Sequence, residues 1–212
     1  MKLALHPEVI DGWPTPTPQA PWRALVSGCL VGWHCGVDGS DNGMGEALAA
    51  LFRLPTLQRV PFCPEDHALG TPRGTPDLHG GDGLAVLAGT ARARDEHGAD
   101  VTEAMLSGAA AMLAVARAAQ VQFAILTDMS AACGSQVISD GSRFAQPRRY
   151  QRGVGVATAL LLQHGIPVVS QRDHATLGRL RARLEPGFVP DPNARDHHRH
   201  PWVVANLPEP RR

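Results

Sequence analysis

A chain of 212 residues can enclose one hydrophobic core with a decorated edge. Its 20 basic and 20 acidic side chains cancel, which argues against a dedicated nucleic-acid or membrane surface and leaves Arg143, Arg148, Arg149 and Arg152 as one local basic group. No apolar run reaches the roughly 18 residues of a membrane helix, and residues 1–21 lack the basic and apolar regions of a signal peptide, so a cytoplasmic protein is expected.

In chain order, residues 1–22 hold five of the 18 prolines and read as an extended N-terminal arm. A short buried strand follows near 23–28, then a Gly-rich loop to Gly45. A helix is expected over 46–52, with Asn42 as its cap and Pro55 as its stop, and a second strand over 57–62. Cys63 opens a long Gly- and Pro-rich loop to about Gly83. Residues 84–87 and 90–94 read as paired short strands around Gly89, a small β-hairpin insertion. Residues 102–119 form an Ala-rich helix. A third strand at 121–127 leads into a Gly-rich loop at 128–147. A buried helix over 153–162, a fourth strand at 166–170 and a helix over 174–184 precede an irregular Pro/His-rich tail. Strands alternating with helices specify a single open, mostly parallel, doubly wound (Rossmann-like) α/β sheet. The expected division is an arm (1–22), an α/β domain (23–174) and a C-terminal helix with its tail (175–212).

Four cysteines in a reducing compartment point to thiols or metal ligands rather than disulfides. Cys29, Cys63 and Cys133 each follow an apolar strand-like run. In an open α/β sheet the loops leaving the carboxyl ends of parallel strands meet in one crevice, so the three can converge without any short paired spacing. Buried hydrophobic packing, a zinc ion and an iron–sulfur cluster all remain open for them on spacing alone. Glu65 is either a solvated loop carboxylate or an acid/base group at the edge of a metal. Asp38 is a turn former or a site residue, and Ser130 a loop hydrogen-bonder or a ligand contact. The His-rich run Asp196-His197-His198-Arg199-His200 reads as solvated or adventitiously metal-binding. Gly153-Val154-Gly155 lacks the third glycine of a dinucleotide fingerprint, although a helix starting there has an N-terminus suited to an anion.

Several short motifs, taken together and in order, resemble the TudS-like thiouracil desulfidase family, small bacterial proteins long carried as a domain of unknown function. They are Ser27-Gly28-Cys29-Leu30-Val31-Gly32, Asp38-Gly39, Cys63-Pro64-Glu65, Thr71-Pro72-Arg73, Asp100-Val101-Thr102, the run from Ser130 to Ser135, Asp140-Gly141, the run from Gly153 to Leu161, and Gly165-Ile166-Pro167-Val168. The resemblance spans about residues 24–170. It implies a 4Fe–4S cluster held by Cys29, Cys63 and Cys133, with the fourth iron free for the substrate's sulfur. Cys35 falls outside that ligand set, because the family often has valine there. The implied reaction replaces C=S by C=O on a thiolated pyrimidine (thiouracil or a related nucleoside or nucleotide), with water as oxygen source, sulfide released and no net electron transfer. Glu65 and Ser130 take the catalytic roles, and Ser27 and Asp38 the substrate contacts. Two departures touch the pocket: Ser-Pro-Ser-Cys-Gly reads Ser130-Ala131-Ala132-Cys133-Gly134, and Arg-Tyr-Asp-Gly reads Gly36-Val37-Asp38-Gly39. The partner expected is a small molecule, not a stably bound nucleic acid. An iron–sulfur electron-transfer or sensing module with Cys35 as fourth ligand is one rival, and a zinc-stabilised binding protein the other.

Overall fold

A computed structural model describes residues 7–43 and 45–207. In chain order its elements are α1 (Pro7–Asp11), β1 (Trp22–Ser27), a 3-10 turn (Gly28–Val31), α2 (Gly45–Phe52), β2 (Leu57–Phe62), α3 (Pro64–Leu69), β3 (Asp77–His79), α4 (Gly83–Leu87), β4 (Arg92–Arg94), α5 (Thr102–Ala118), β5 (Phe123–Leu126), β6 (Val137–Ser139), β7 (Tyr150–Arg152), α6 (Val156–Gln163), β8 (Val168–Ser170), α7 (His174–Leu184), a second 3-10 turn (His197–Arg199) and α8 (Pro201–Asn206).

The central sheet has the order β2-β1-β5-β8, and every pairing in it is parallel. Alternation along the strands builds two cores. Leu25, Ala124, Leu126 and Val168 face one side, against α5 and α6. Ala24, Val26, Phe123, Ile125 and Val169 face the other, against Ile10, α2 and α7. A strand buried on both faces reads as a continuous apolar run, as 123–126 does. The chain crosses from β1 to β2 on one side and then to β5 on the other, so a topological switch point lies between β1 and β5. Among the described residues no helix is long and apolar enough to cross a membrane.

The doubly wound sheet is as the sequence specifies, but four local expectations need correction. The N-terminal arm is not wholly extended. It carries α1, whose carboxyl end is held by Arg183: Nη1 donates to the carbonyls of Ile10 (3.3 Å) and Asp11 (2.9 Å), and Nη2 to that of Trp13 (2.8 Å). Trp13 then stacks on Phe123, with ring centroids 5.4 Å apart. The loop expected after Cys63 begins with α3, because Pro64 fits a first helical turn and Cys63 Sγ caps it by accepting from Asp66 N (3.4 Å). Residues 84–87 are helical, not a hairpin strand. Asp82 Oδ1 accepts from Leu84 N (3.0 Å) and Ala85 N (3.3 Å) and starts α4, while the antiparallel partner of β4 is β3. A four-residue apolar run is compatible with either state, and the cap decides. The C-terminal tail contains the second 3-10 turn and α8, and it packs on the molecule through Val203 and Leu207.

Candidate active site

Three of the four central strands deliver a cysteine. β1 ends at Ser27, and the 3-10 turn beyond it holds Cys29. β2 ends at Phe62, so Cys63 caps α3. β5 runs into the loop bearing Ser130 and Cys133. The loops are tied at the switch point: Ser27 Oγ accepts from Thr127 N (3.1 Å), and Thr127 Oγ1 lies 3.1 Å from Cys29 Sγ. The Cys133 loop is clamped by the start of α6. There Val156 N, Ala157 N and Thr158 N donate to the carbonyls of Ala131 and Ala132, and Thr158 Oγ1 donates to that of Cys133 (2.8 Å). A Cβ on Gly155 would stand 2.4 Å from Ala132, so only glycine permits this approach. The N-terminus of α6 is therefore filled by protein carbonyls, and the anion site considered from the sequence is not there.

One cavity of about 300 Å³ is lined by Cys29, Cys63, Cys133, Glu65, Ser130, Ser27 and Asp38, together with Cys35, Arg73 and Arg143. All seven site residues named from the sequence thus share one cavity, which none of His34, His67 and the tail histidines lines. Glu65 is 12% exposed and held at both carboxylate oxygens: Arg73 Nη2 lies 2.9 Å from Oε2, and Ser130 Oγ donates to Oε1 (3.1 Å). Ser130 Oγ also accepts from Ala132 N (3.1 Å) and Cys133 N (3.0 Å), so one hydroxyl orients both the carboxylate and the cysteine loop. Ser27 is buried within the wall, while Asp38 sits exposed on the rim. The Asp38 Oδ1 accepts from Ser40 Oγ (2.5 Å) and Ser40 N (2.9 Å), which hold the carboxyl below its ordinary range; this is a turn-forming geometry.

Burial dominates the thiols. It pushes Cys133 well up, with charge on Cys63 and Glu65 adding to the effect. It also raises Cys63, against the Asp66 N–H that favours the thiolate. A bound metal would reverse this, because its charge compensates thiolates crowded into one crevice and their protons are released on loading. All four cysteines are free thiols. Among the described residues Asp173, Asp196 and His198 form a group whose donor atoms all lie within 4.8 Å of one another.

Sequence reasoning missed three contributors. Arg73 lies in a motif that was matched but given no role. Asn42, expected to cap α2, instead donates from Nδ2 to Cys29 Sγ (3.2 Å). His197, expected to be solvated, places Nδ1 2.5 Å from Oδ2 of the buried Asp128, whose Oδ1 accepts from Met129 N, Ser135 N and Gln136 N around the Cys133 loop. Burial raises Asp128, but the His197 hydrogen bond and charge, with these N–H donors, prevail and hold it below its ordinary range. Only the type of His197, and not its position in the sequence, signals such a contact.

A doubly wound α/β sheet thus gathers cysteines from three strand ends around one carboxylate. The 2-thiouracil desulfurase family matches residues 24–173, and the chain belongs to that family. It is 38% identical over 152 residues to the uncharacterized protein YbbK of Bacillus subtilis (strain 168), covering 70% of this chain and 95% of YbbK. Among solved structures it is similar to the 4Fe–4S-dependent thiouracil desulfidase TudS, with 33% identity and a TM-score of 0.59 over 74% of this chain and 95% of that one.

Proposed function

We propose that this protein is an iron–sulfur-dependent, non-redox desulfidase that converts C=S to C=O on a thiolated pyrimidine and releases sulfide. The observation that carries this reading is the convergence of Cys29, Cys63 and Cys133 from three parallel strands on the cavity that also holds Glu65. The donor set fits the cluster: the three thiols are soft ligands on one cavity wall, with Cys29 and Cys133 buried and Cys63 partly so. Family membership and the likeness to TudS point the same way.

When bound, a 4Fe–4S cluster supplies a Lewis-acidic iron for the substrate's sulfur. Cys29, Cys63 and Cys133 would hold it. Glu65 carries the proton. Its Oε1 takes one from the water that attacks the ring carbon and passes it to the departing sulfur; the proton left on the new hydroxyl follows by the same oxygen as the carbonyl forms, so that the ring thione and water give the ring carbonyl and hydrogen sulfide. Arg73 fixes the opposite oxygen and Ser130 the reacting one, which orients the carboxylate before substrate arrives. Such a positioned acid/base is worth about 10²–10⁴-fold in rate. Ser27 and Asp38 bound the substrate side, Ser27 from the wall and Asp38 from the rim.

The test is to load the protein with iron and sulfide without oxygen, count both, and follow sulfide release from thiouracil. Cluster-dependent release is the expected result. A protein that binds zinc in preference to iron, or holds a full cluster and releases no sulfide from any thiolated pyrimidine, would overturn the reading.

A further inference from the structure

The family resemblance sets Cys35 aside, yet the fold brings it to the other three cysteines. Cys35 is 3% exposed, although its neighbours Trp33 and His34 are exposed, and it lines the same cavity as Cys29, Cys63 and Cys133. Its carbonyl accepts from Arg73 Nη2 (3.0 Å) and lies 3.8 Å from Cys63 Sγ. Its own Sγ lies against Gly28, the residue before Cys29: a Cβ there would come within 3.3 Å of the sulfur. The loop is pinned in this pose by Cys35 N to the Trp33 carbonyl (2.8 Å) and Gly36 N to that of Ser40 (2.8 Å).

We propose that Cys35 is a fourth thiolate ligand, which covers the substrate-binding iron in the resting protein and is displaced by the substrate's sulfur. The proposal rests on the desulfidase reading above and adds a built-in mask to it. Four thiolates complete the coordination of a four-iron cluster. Displacement is a ligand substitution that moves no electrons. Cys35 Sγ would leave the cluster as the pyrimidine sulfur took its place, and the released thiolate would take up the ring N–H proton of the substrate. In this chain the mask also shields the iron from oxidative loss.

The experiment compares the parent with Cys35→Val, both loaded without oxygen, then mildly oxidised with ferricyanide, by iron count and electron paramagnetic resonance. The parent should keep its iron and stay silent, whereas Cys35→Val should lose about one iron in four and show a three-iron signal. In the same variant the KM for thiouracil should fall by roughly 10-fold, because no resting ligand has to be displaced. A parent that loses iron as readily as the variant, or an unchanged KM, overturns the proposal. Should the valine variant take up no iron, Cys35→Ser, a weaker donor in the same space, is read by the same two measures. A parent that takes up no cluster at all sinks the desulfidase reading itself, and with it the mask.

Discussion

Glu65 is the side chain on which the chemistry turns, and its setting separates two roles that one substitution can distinguish. Glu65→Gln keeps the shape and the Ser130 contact but removes the proton carrier. With cluster content unchanged, sulfide release should drop by about 10²–10⁴-fold; a variant as fast as the parent would reduce Glu65 to a loop brace. Arg73 is a positioning residue, 5% exposed, that joins Glu65 Oε2 to the Cys35 carbonyl. Arg73→Met leaves a buried carboxylate unpaired, so stability by urea denaturation should fall by about 3 kcal/mol. The pH profile of sulfide release should move with it, a change that a purely structural arginine would not produce.

Among the elements, the packing of α3 on α5 sets where Cys63 stands. Gly108 lies within α5, and a Cβ there would meet the Pro64 carbonyl oxygen at 2.2 Å. Helix propensity alone favours Gly108→Ala by about 1 kcal/mol. Overpacking against rigid backbone costs about 1–3 kcal/mol, so the clash wins. The expected outcome is a net loss of stability together with weaker iron retention, since the strain falls on the turn that Cys63 caps. A stabilised variant with full iron would show that α3 is free to shift, and that the glycine does not fix the cysteine.

Over the whole molecule, the C-terminal tail reaches back to brace the site from behind. His197 N donates to Asp173 Oδ1 (3.0 Å), while its ring meets Asp128; Asp196 accepts from Thr176 N (2.8 Å) and Thr176 Oγ1 (2.7 Å) at the start of α7. Burial, with Asp196 nearby, raises Asp173 from 3.8 to about 6. A carboxyl raised on folding binds its proton more tightly in the native state, so its contribution is present below the unfolded value and is lost as pH rises. Stability should therefore decline between about pH 4 and about pH 6, by on the order of 2 kcal/mol for this group. Asp128 has the opposite sign: its contribution is present above the unfolded value and lost as pH falls through the lowered one. Urea denaturation across that window checks the slope, and Asp173→Asn should flatten it. His197→Ala should cost about 1–3 kcal/mol by leaving the buried Asp128 oxygen without its partner.

The sequence by itself determined the sheet and the meeting of the cysteines. Strand-like runs at 24–27, 57–62, 123–126 and 168–170 alternate with helical stretches, and a strand buried on both faces, as 123–126 is, belongs in a parallel, doubly wound sheet whose loops share one edge. Motif order supplied the family. Tertiary structure decided what local pattern cannot carry. Whether 84–87 becomes helix or strand depended on the Asp82 cap, and α3 on a cysteine acting as a cap, which propensity does not anticipate. Arg73, Asn42, Cys35 and His197 lie 8, 13, 28 and 69 positions from Glu65, Cys29, Cys63 and Asp128, the residues they serve. Where the contact spans tens of residues, as for Cys35 and His197, it exists because the sheet brings distant loops to its carboxyl edge, and no periodicity along the chain encodes that distance.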